Sequence, residues 1–113
     1  GDQRRSEHQR HSRKYAEGEL PPDRSFYFRG PQGKLKLRAQ NLCVFLQMAE
    51  GVDDETWLHH LREGGYSEWF ERGLKDRMLA QEARQIENET QADAQSSREA
   101  MRAAIERYYT LPA

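Results

Sequence analysis

The chain has 113 residues and a mass of 13.3 kDa, which is enough for one domain. Hydrophobic residues make up 35% of it, and 18 basic side chains nearly balance 19 acidic ones, for a net charge of −1. This balance disfavours a nucleic-acid binder that depends on bulk positive charge. The longest apolar run, Leu42–Leu46, is too short to cross a membrane. The single cysteine, Cys43, cannot form an internal disulfide, so we expect a cytoplasmic protein.

Apolar residues are scarce at the start of the chain. Residues 1–24 contain only three: Tyr15, Ala16 and Leu20. A segment this poor in apolar side chains cannot offset the entropy cost of ordering by burying them. We therefore predict a flexible, polar segment over residues 1–24, with a short helix at most near residues 11–18. A single folded domain is expected over residues 25–113.

Two alternating runs predict a β-hairpin over about residues 25–38. Ser25–Arg29 is rich in aromatics, Lys34–Arg38 alternates between basic and apolar residues, and a four-residue Gly/Pro loop, Gly30–Gly33, separates them. The inner face is expected to carry Phe26, Phe28, Leu35 and Leu37. The outer face is expected to carry Tyr27, Arg29, Lys34, Lys36 and Arg38. Because a lone hairpin is marginally stable in water, its apolar face must pack on other elements.

The remaining sequence predicts about five short helices. Leu42, Phe45, Leu46 and Ala49 have the i, i+3, i+4, i+7 spacing of one helical face, with Gly51 as the C-cap. The later helices are expected to begin at the N-cap residues Asp53, Ser67, Asp76 and Ser96. Ser96 is followed by a glutamate three residues later, which fits a capping box. The predicted fold is mainly α, an N-terminal β-hairpin followed by about five short helices in a compact bundle.

The residues that could carry chemistry also have structural interpretations, which we favour. His59 and His60 are adjacent on a predicted helix and point about 100° apart, so they should not converge on one metal ion. Asp53–Glu55 could bind Mg²⁺ or act as acid and base, but acids at a helix start also compensate its dipole. Cys43 lies beside an apolar stripe, where a thiol behaves as a small hydrophobe. We therefore expect no catalytic residue, bound cofactor or metal ligand in this chain.

The outer face of the hairpin is the best candidate for a binding surface. A basic strip with one aromatic can meet phosphate oxygens or an acidic patch of a partner, although a solvated sheet face is the alternative. Most of the later aromatic residues should be core, but any that is exposed would add an anchor for a partner. The candidate surface comprises Tyr27, Arg29, Lys34, Lys36, Arg38, Trp57, Tyr66 and Trp69.

Several segments together carry a family resemblance. They are His11–Gly18, Phe26–Pro31, Leu37–Leu42, Gly51–Arg62 and Tyr66–Phe70. This set resembles the C-terminal accessory region of bacterial proteins with a haloacid-dehalogenase-like, sugar-phosphatase-like hydrolase domain. The stretch Trp57–Leu79 is also similar to a small archaeal family of uncharacterised helical domains. The resemblance covers roughly residues 11–113.

The resemblance implies a non-catalytic accessory or protein-interaction domain, the C-terminal part of a haloacid-dehalogenase-like phosphohydrolase. Its partner would be the linked hydrolase domain, another protein or a second copy of this chain. Phosphatases of that family use an Asp-x-Asp pair as nucleophile and acid/base, and this chain has none. One alternative is that the domain contributes substrate or regulatory contacts to the phosphatase activity of a parent protein. A second is a small nucleic-acid or anion binder that uses the basic hairpin face.

Overall fold

A two-stranded hairpin precedes five helices in the computed structural model, which describes residues 16–33, 35–89 and 91–109. After a 3-10 turn at Pro22–Arg24, the elements are β1 (Phe26–Phe28), β2 (Leu37–Ala39), α1 (Leu42–Gly51), α2 (Asp54–Glu63), α3 (Gly65–Arg72), α4 (Arg77–Glu87) and α5 (Ala94–Tyr108). This order confirms the predicted fold class, mainly α with an N-terminal hairpin. Within the described residues, no helix combines the length and apolarity needed to cross a bilayer.

The hairpin has the predicted faces. Its strands pair antiparallel, with Phe26 opposite Ala39 and Phe28 opposite Leu37, so these four residues share one face. Phe26 and Phe28 are buried, at 7% and 0% exposure, as expected for the inner face. Each strand has three residues, so the connection between them is longer than the predicted four-residue loop.

The predicted burial of the second strand's leucines is wrong. Leu37 is 37% exposed, and Leu35 is only half-buried. Phe28, the partner of Leu37 in the ladder, is fully buried against Phe45 and His60. At the turn end of the hairpin, the helices therefore cover β1 more deeply than β2. Lys36 is exposed, so the alternation of the two faces is the predicted one, although Phe28 pairs with Leu37 and not with Leu35 as a four-residue loop would require.

Packing begins before the predicted domain start at Ser25. Ala16 and Leu20 are buried, and the Leu20 N–H donates to the Gln40 carbonyl at 2.8 Å. The Asn41 side chain donates to the Gly18 carbonyl at 2.7 Å. Two apolar side chains and these hydrogen bonds attach the segment to the end of β2. Most of the predicted flexible segment and short helix, residues 1–15, lies outside the described residues.

Two of the predicted helix starts are confirmed. The Asp53 carboxylate accepts the Thr56 N–H, and the Asp76 carboxylate accepts the Leu79 N–H, both at 3.0 Å. These bonds satisfy amide groups that have no partner within the helix. The predicted C-cap at Gly51 is displaced by one residue, since Val52 takes that position in an extended conformation.

The two serine N-caps are wrong. α3 begins at Gly65, directly after Gly64, and its Ser67 N–H donates to the Glu87 carboxylate of α4 at 3.0 Å. α5 begins at Ala94, with Asp93 as N-cap and Ser96 as the residue that returns the capping bond. The sequence allows a capping box with either Asp93 or Ser96 as the N-cap. The earlier start allows the first turn of α5 to bury Ala94 and Ser97.

The core is built from aromatic rings under the hairpin. Phe28 stacks on Phe45 with ring centroids 5.5 Å apart, and Trp57 stacks on Tyr66 at 4.4 Å. The Trp57 indole N–H donates to the Ser97 hydroxyl at 2.8 Å, and the Tyr66 hydroxyl donates to the Trp57 carbonyl at 2.9 Å. The polar atoms of both rings are therefore satisfied inside the core, which removes the cost of burying them.

Candidate functional site

The three aromatic residues of the candidate surface lie in the core. Trp57 and Tyr66 are fully buried, and Trp69 is 6% exposed. The Trp69 indole N–H donates to the Arg24 carbonyl at 2.8 Å, which joins α3 to the turn before β1. None of the three remains exposed to anchor a partner, because their rings fill the space between the hairpin and the helices. The candidate surface is thereby reduced to the hairpin.

The outer face of the hairpin carries the predicted basic strip. Tyr27 lies opposite Arg38 in the register, and the Arg29 guanidinium lies 5.3 Å from the Tyr27 ring centroid. The Tyr27 hydroxyl donates to the Pro22 carbonyl at 2.9 Å, so this ring is partly covered by the preceding turn. Lys34, the remaining predicted member, lies outside the described residues.

Arg38 is used inside the fold. Its guanidinium donates to the Leu20 carbonyl at 2.6 Å and to the Ser25 hydroxyl at 3.0 Å. Glu19 lies 3.9 Å from the same group. These contacts hold the segment before β1 against β2. Arg38 is therefore a structural residue, and a partner would have to compete with all three contacts.

Arg29, Lys36 and Leu37 form what we call the hairpin-tip patch. Both cations are exposed, and neither forms an ion pair with a carboxylate of the described residues. Leu37 adds exposed apolar surface at the same end of the hairpin, on the face that Phe28 shares. The patch therefore combines two positive charges, unpaired within the part of the chain that the structure describes, with one apolar side chain.

His60 fastens the hairpin to α2. Its Nε2 atom accepts the Arg29 N–H at 3.0 Å and the Gly30 N–H at 3.4 Å. The ring is 7% exposed and packs edge-on against Phe26. Burial, followed by the charges of His59 and Arg29, lowers the pKa of His60, while Glu63 opposes the shift. The imidazole is therefore neutral at neutral pH.

The sequence analysis considered His59 and His60 as a pair and did not predict that His60 attaches the hairpin to α2. The available signal was periodicity, since His60 shares the buried helical stripe of Trp57 and Leu61 at i+3 and i+4. A polar residue in an apolar stripe needs a hydrogen-bond partner when the stripe is buried. The identity of that partner, a backbone 30 residues earlier, requires the tertiary structure.

His59 and His60 come closer together than expected. With Glu63, they place one ligand atom each within 4.8 Å of one another. The Nε2 lone pair of His60 already accepts backbone N–H groups, so the proton of its neutral ring is on Nδ1. Neither nitrogen then has a lone pair for a metal. His59 and Glu63 alone, 3.4 Å apart, are fewer than the three or four protein ligands of a zinc site.

Both aspartates at the start of α2 have partners within the fold. The two carboxylate oxygens of Asp53 accept the Thr56 hydroxyl at 2.6 Å and the Thr56 N–H at 3.0 Å, and these bonds lower its pKa. Asp54 pairs with Arg98 at 2.6 Å. Cys43 is half-buried, with the Gln47 amide 3.9 Å from its sulfur. Capping accounts for the carboxylate of Asp53, and the ion pair with Arg98 accounts for that of Asp54.

A groove of about 410 Å³ runs between α4 and α5. Ile86, Ala100 and Ala104 supply its apolar lining, and Glu82 and Arg107 contribute opposite charges that pair at 2.6 Å. The sequence did not predict this groove, because its shape depends on how the two helices pack. The charges of this groove pair with each other, whereas the cations of the hairpin-tip patch pair with no described carboxylate.

No family model, no curated protein and no solved structure matches this chain. The resemblance to the accessory region of phosphohydrolases therefore stays a prediction. Arg62, Lys75 and Arg77 are further exposed cations without an ion pair to a described carboxylate, and Met78 is 63% exposed. The hairpin-tip patch differs from them in its attachment to α2 through His60.

Proposed function

We propose that this chain is a non-catalytic protein-interaction domain that binds an acidic segment of a partner protein through the hairpin-tip patch. The supporting observation is the pair of exposed cations, Arg29 and Lys36, with no carboxylate partner among the described residues. Arg98, Arg102 and Arg107, by contrast, each pair with a glutamate or aspartate at 2.6–2.7 Å. Uncompensated charges of one sign steer association with a partner of the opposite sign.

The composition of the patch favours a protein over a nucleic acid. Leu37 offers apolar contact to a side chain of a partner, whereas duplex and single-stranded nucleic acids are bound through rows of phosphate contacts and stacked bases. The net charge of −1 provides no long-range attraction for a polyanion. A patch of this size would give a weak, transient complex. The resemblance makes a linked phosphohydrolase domain the first partner to test.

Charge reversal at the patch should weaken binding to a labelled acidic peptide of alternating glutamate and leucine. Lys36→Glu and Arg29→Glu should each reduce the association rate several-fold. The effect should be larger at low salt, because the screening length is about 10 Å at 0.1 M salt and grows to about 30 Å at 0.01 M. Leu37→Ala should mainly speed dissociation. Surface plasmon resonance or fluorescence anisotropy across a salt series measures both rates.

Arg77→Glu is the matched control for these reversals. Arg77 is exposed in the first turn of α4, where a negative charge suits the helix dipole, and the change in net charge is the same. Equal weakening by Arg77→Glu would show that only net charge matters. Micromolar binding of a labelled oligonucleotide at physiological salt, lost in Lys36→Glu, would instead support the nucleic-acid alternative.

The purified chain should not hydrolyse p-nitrophenyl phosphate in the presence of Mg²⁺. Asp53 and Asp54 are adjacent acidic residues at a helix start, but their carboxylates are held by Thr56 and Arg98. A steady-state assay over pH 5–8 measures this directly. Turnover that disappears in Asp53→Asn or Asp54→Asn would contradict the non-catalytic proposal.

A further inference from the structure

We propose that His60 is a pH-sensitive latch for the hairpin-tip patch: protonation of its imidazole releases Arg29 and Gly30 from α2. The latch regulates the same surface as the proposed function, and its biological meaning rests on that function. The release itself is a property of the fold and can be observed without a partner.

The geometry at Nε2 makes the latch depend on the protonation state of the His60 imidazole. One lone pair receives two backbone N–H groups, from Arg29 at 3.0 Å and from Gly30 at 3.4 Å. A proton added at Nε2 would turn this acceptor into a donor facing two donors. The imidazolium cannot keep either hydrogen bond, so the backbone at the start of the turn must move away or the ring must rotate.

The charged groups around the ring come from both elements that meet there. His59 and Glu63 lie on the same helix, and Arg29 lies on the hairpin. The His59 ring centroid is 5.0 Å away, and the rings of Phe26 and Phe28 are apolar. The Tyr66 ring of α3 lies 6.2 Å away, and its hydroxyl donates to the Trp57 carbonyl. Glu63 alone favours the charged form of His60, and its side chain is 59% exposed and therefore screened by solvent. The positive charge of a protonated, buried His60 would therefore have little stabilisation from neighbouring groups.

The sign of the pH effect follows from the lowered pKa of His60. Its ordinary value is 6.5, which applies to the unfolded chain, so the unfolded chain takes up the proton first as the pH falls. The neutral latch therefore stabilises the fold fully above pH 6.5, and this contribution is lost below it. Phe26 and Phe28 anchor the strand upstream, so the loss falls first on residues 29–30.

Amide chemical shifts of the full chain between pH 8 and pH 5 test the latch. In a ¹H–¹⁵N spectrum, the Arg29 and Gly30 amides should titrate with the same midpoint as the His60 ring. His60→Gln supplies an amide oxygen that accepts the same N–H groups without titrating, so the pH dependence of both amides should be lost. His59→Gln is the matched control and should retain it.

Two outcomes would overturn the latch. One is a His60 ring that titrates in the wild-type chain while both amides stay unchanged, which needs no variant to fold. The other is amide titration that persists in His60→Gln. The acidic-peptide assay at pH 7.5 and pH 5.5 separates this inference from the proposed function. Amides that titrate without peptide binding at either pH would retain the latch and reject the function. Peptide binding that does not depend on pH, together with unchanged amide shifts, would retain the function and reject the latch.

Discussion

Replacing Phe28 with alanine is expected to lower the free energy of unfolding by about 3–5 kcal/mol. The ring is fully buried, stacks on Phe45 and meets Phe26 edge-on with centroids 4.8 Å apart. Its removal leaves a cavity between the hairpin and α1 that rigid neighbouring rings cannot fill. Since domains of this size are typically stable by about 5–15 kcal/mol, the loss is a large part of the total.

Urea unfolding followed by tryptophan fluorescence measures this loss, because Trp57 and Trp69 both report on the core. Leu37→Ala is the matched control, since Leu37 lies directly opposite Phe28 in the register but is 37% exposed. The control should cost less than Phe28→Ala, about 1–2 kcal/mol, because Leu37 keeps 37% of its surface in water and is the smaller side chain. Similar losses for the two variants would show that the hairpin is buried to the same depth on both strands.

Gly73→Ala should destabilise the protein by about 1–3 kcal/mol through overpacking. The backbone at Gly73 is ordinary helical, at φ −77°, so strain does not arise from its dihedral angles. A Cβ atom there would lie 2.6 Å from the Trp69 ring and 2.8 Å from the Arg24 carbonyl. That carbonyl accepts the Trp69 indole N–H, and Arg24 itself donates to the Gly73 carbonyl at 2.6 Å. The added methyl therefore pushes apart the Trp69 ring and the Arg24 backbone, which are hydrogen-bonded to each other.

Gly51→Ala provides the contrast for Gly73→Ala. A Cβ atom at Gly51, the last residue of α1, meets nothing within 4 Å. Its substitution should be neutral or stabilise by up to about 1 kcal/mol, because alanine favours helix. Thermal unfolding and the indole N–H resonance of Trp69 distinguish the two variants. An unchanged Trp69 resonance in Gly73→Ala would contradict the proposed close packing.

Tertiary contacts decided the features that matter most for function. The alternation around Phe28 predicts an apolar face, but only the packing of the hairpin on the helices determines that Phe28 is fully buried while Leu37 on the same face is 37% exposed. Likewise, the partner that caps α3 is Glu87, which reaches the Ser67 N–H from α4. Burial raises the pKa of this carboxyl, an effect that requires the packed helices.

The sequence alone determined the fold class, the two faces of the hairpin and the caps at Asp53 and Asp76. Each of these follows from interactions between residues a few positions apart, such as alternation in a strand or a carboxylate accepting an N–H three residues later. The burial of Trp69, the internal use of Arg38 and the attachment of His60 to Arg29 join residues far apart in the chain. Local periodicity states only that such a side chain faces inward or outward. Which distant group receives it is set by how the hairpin and the helices pack together.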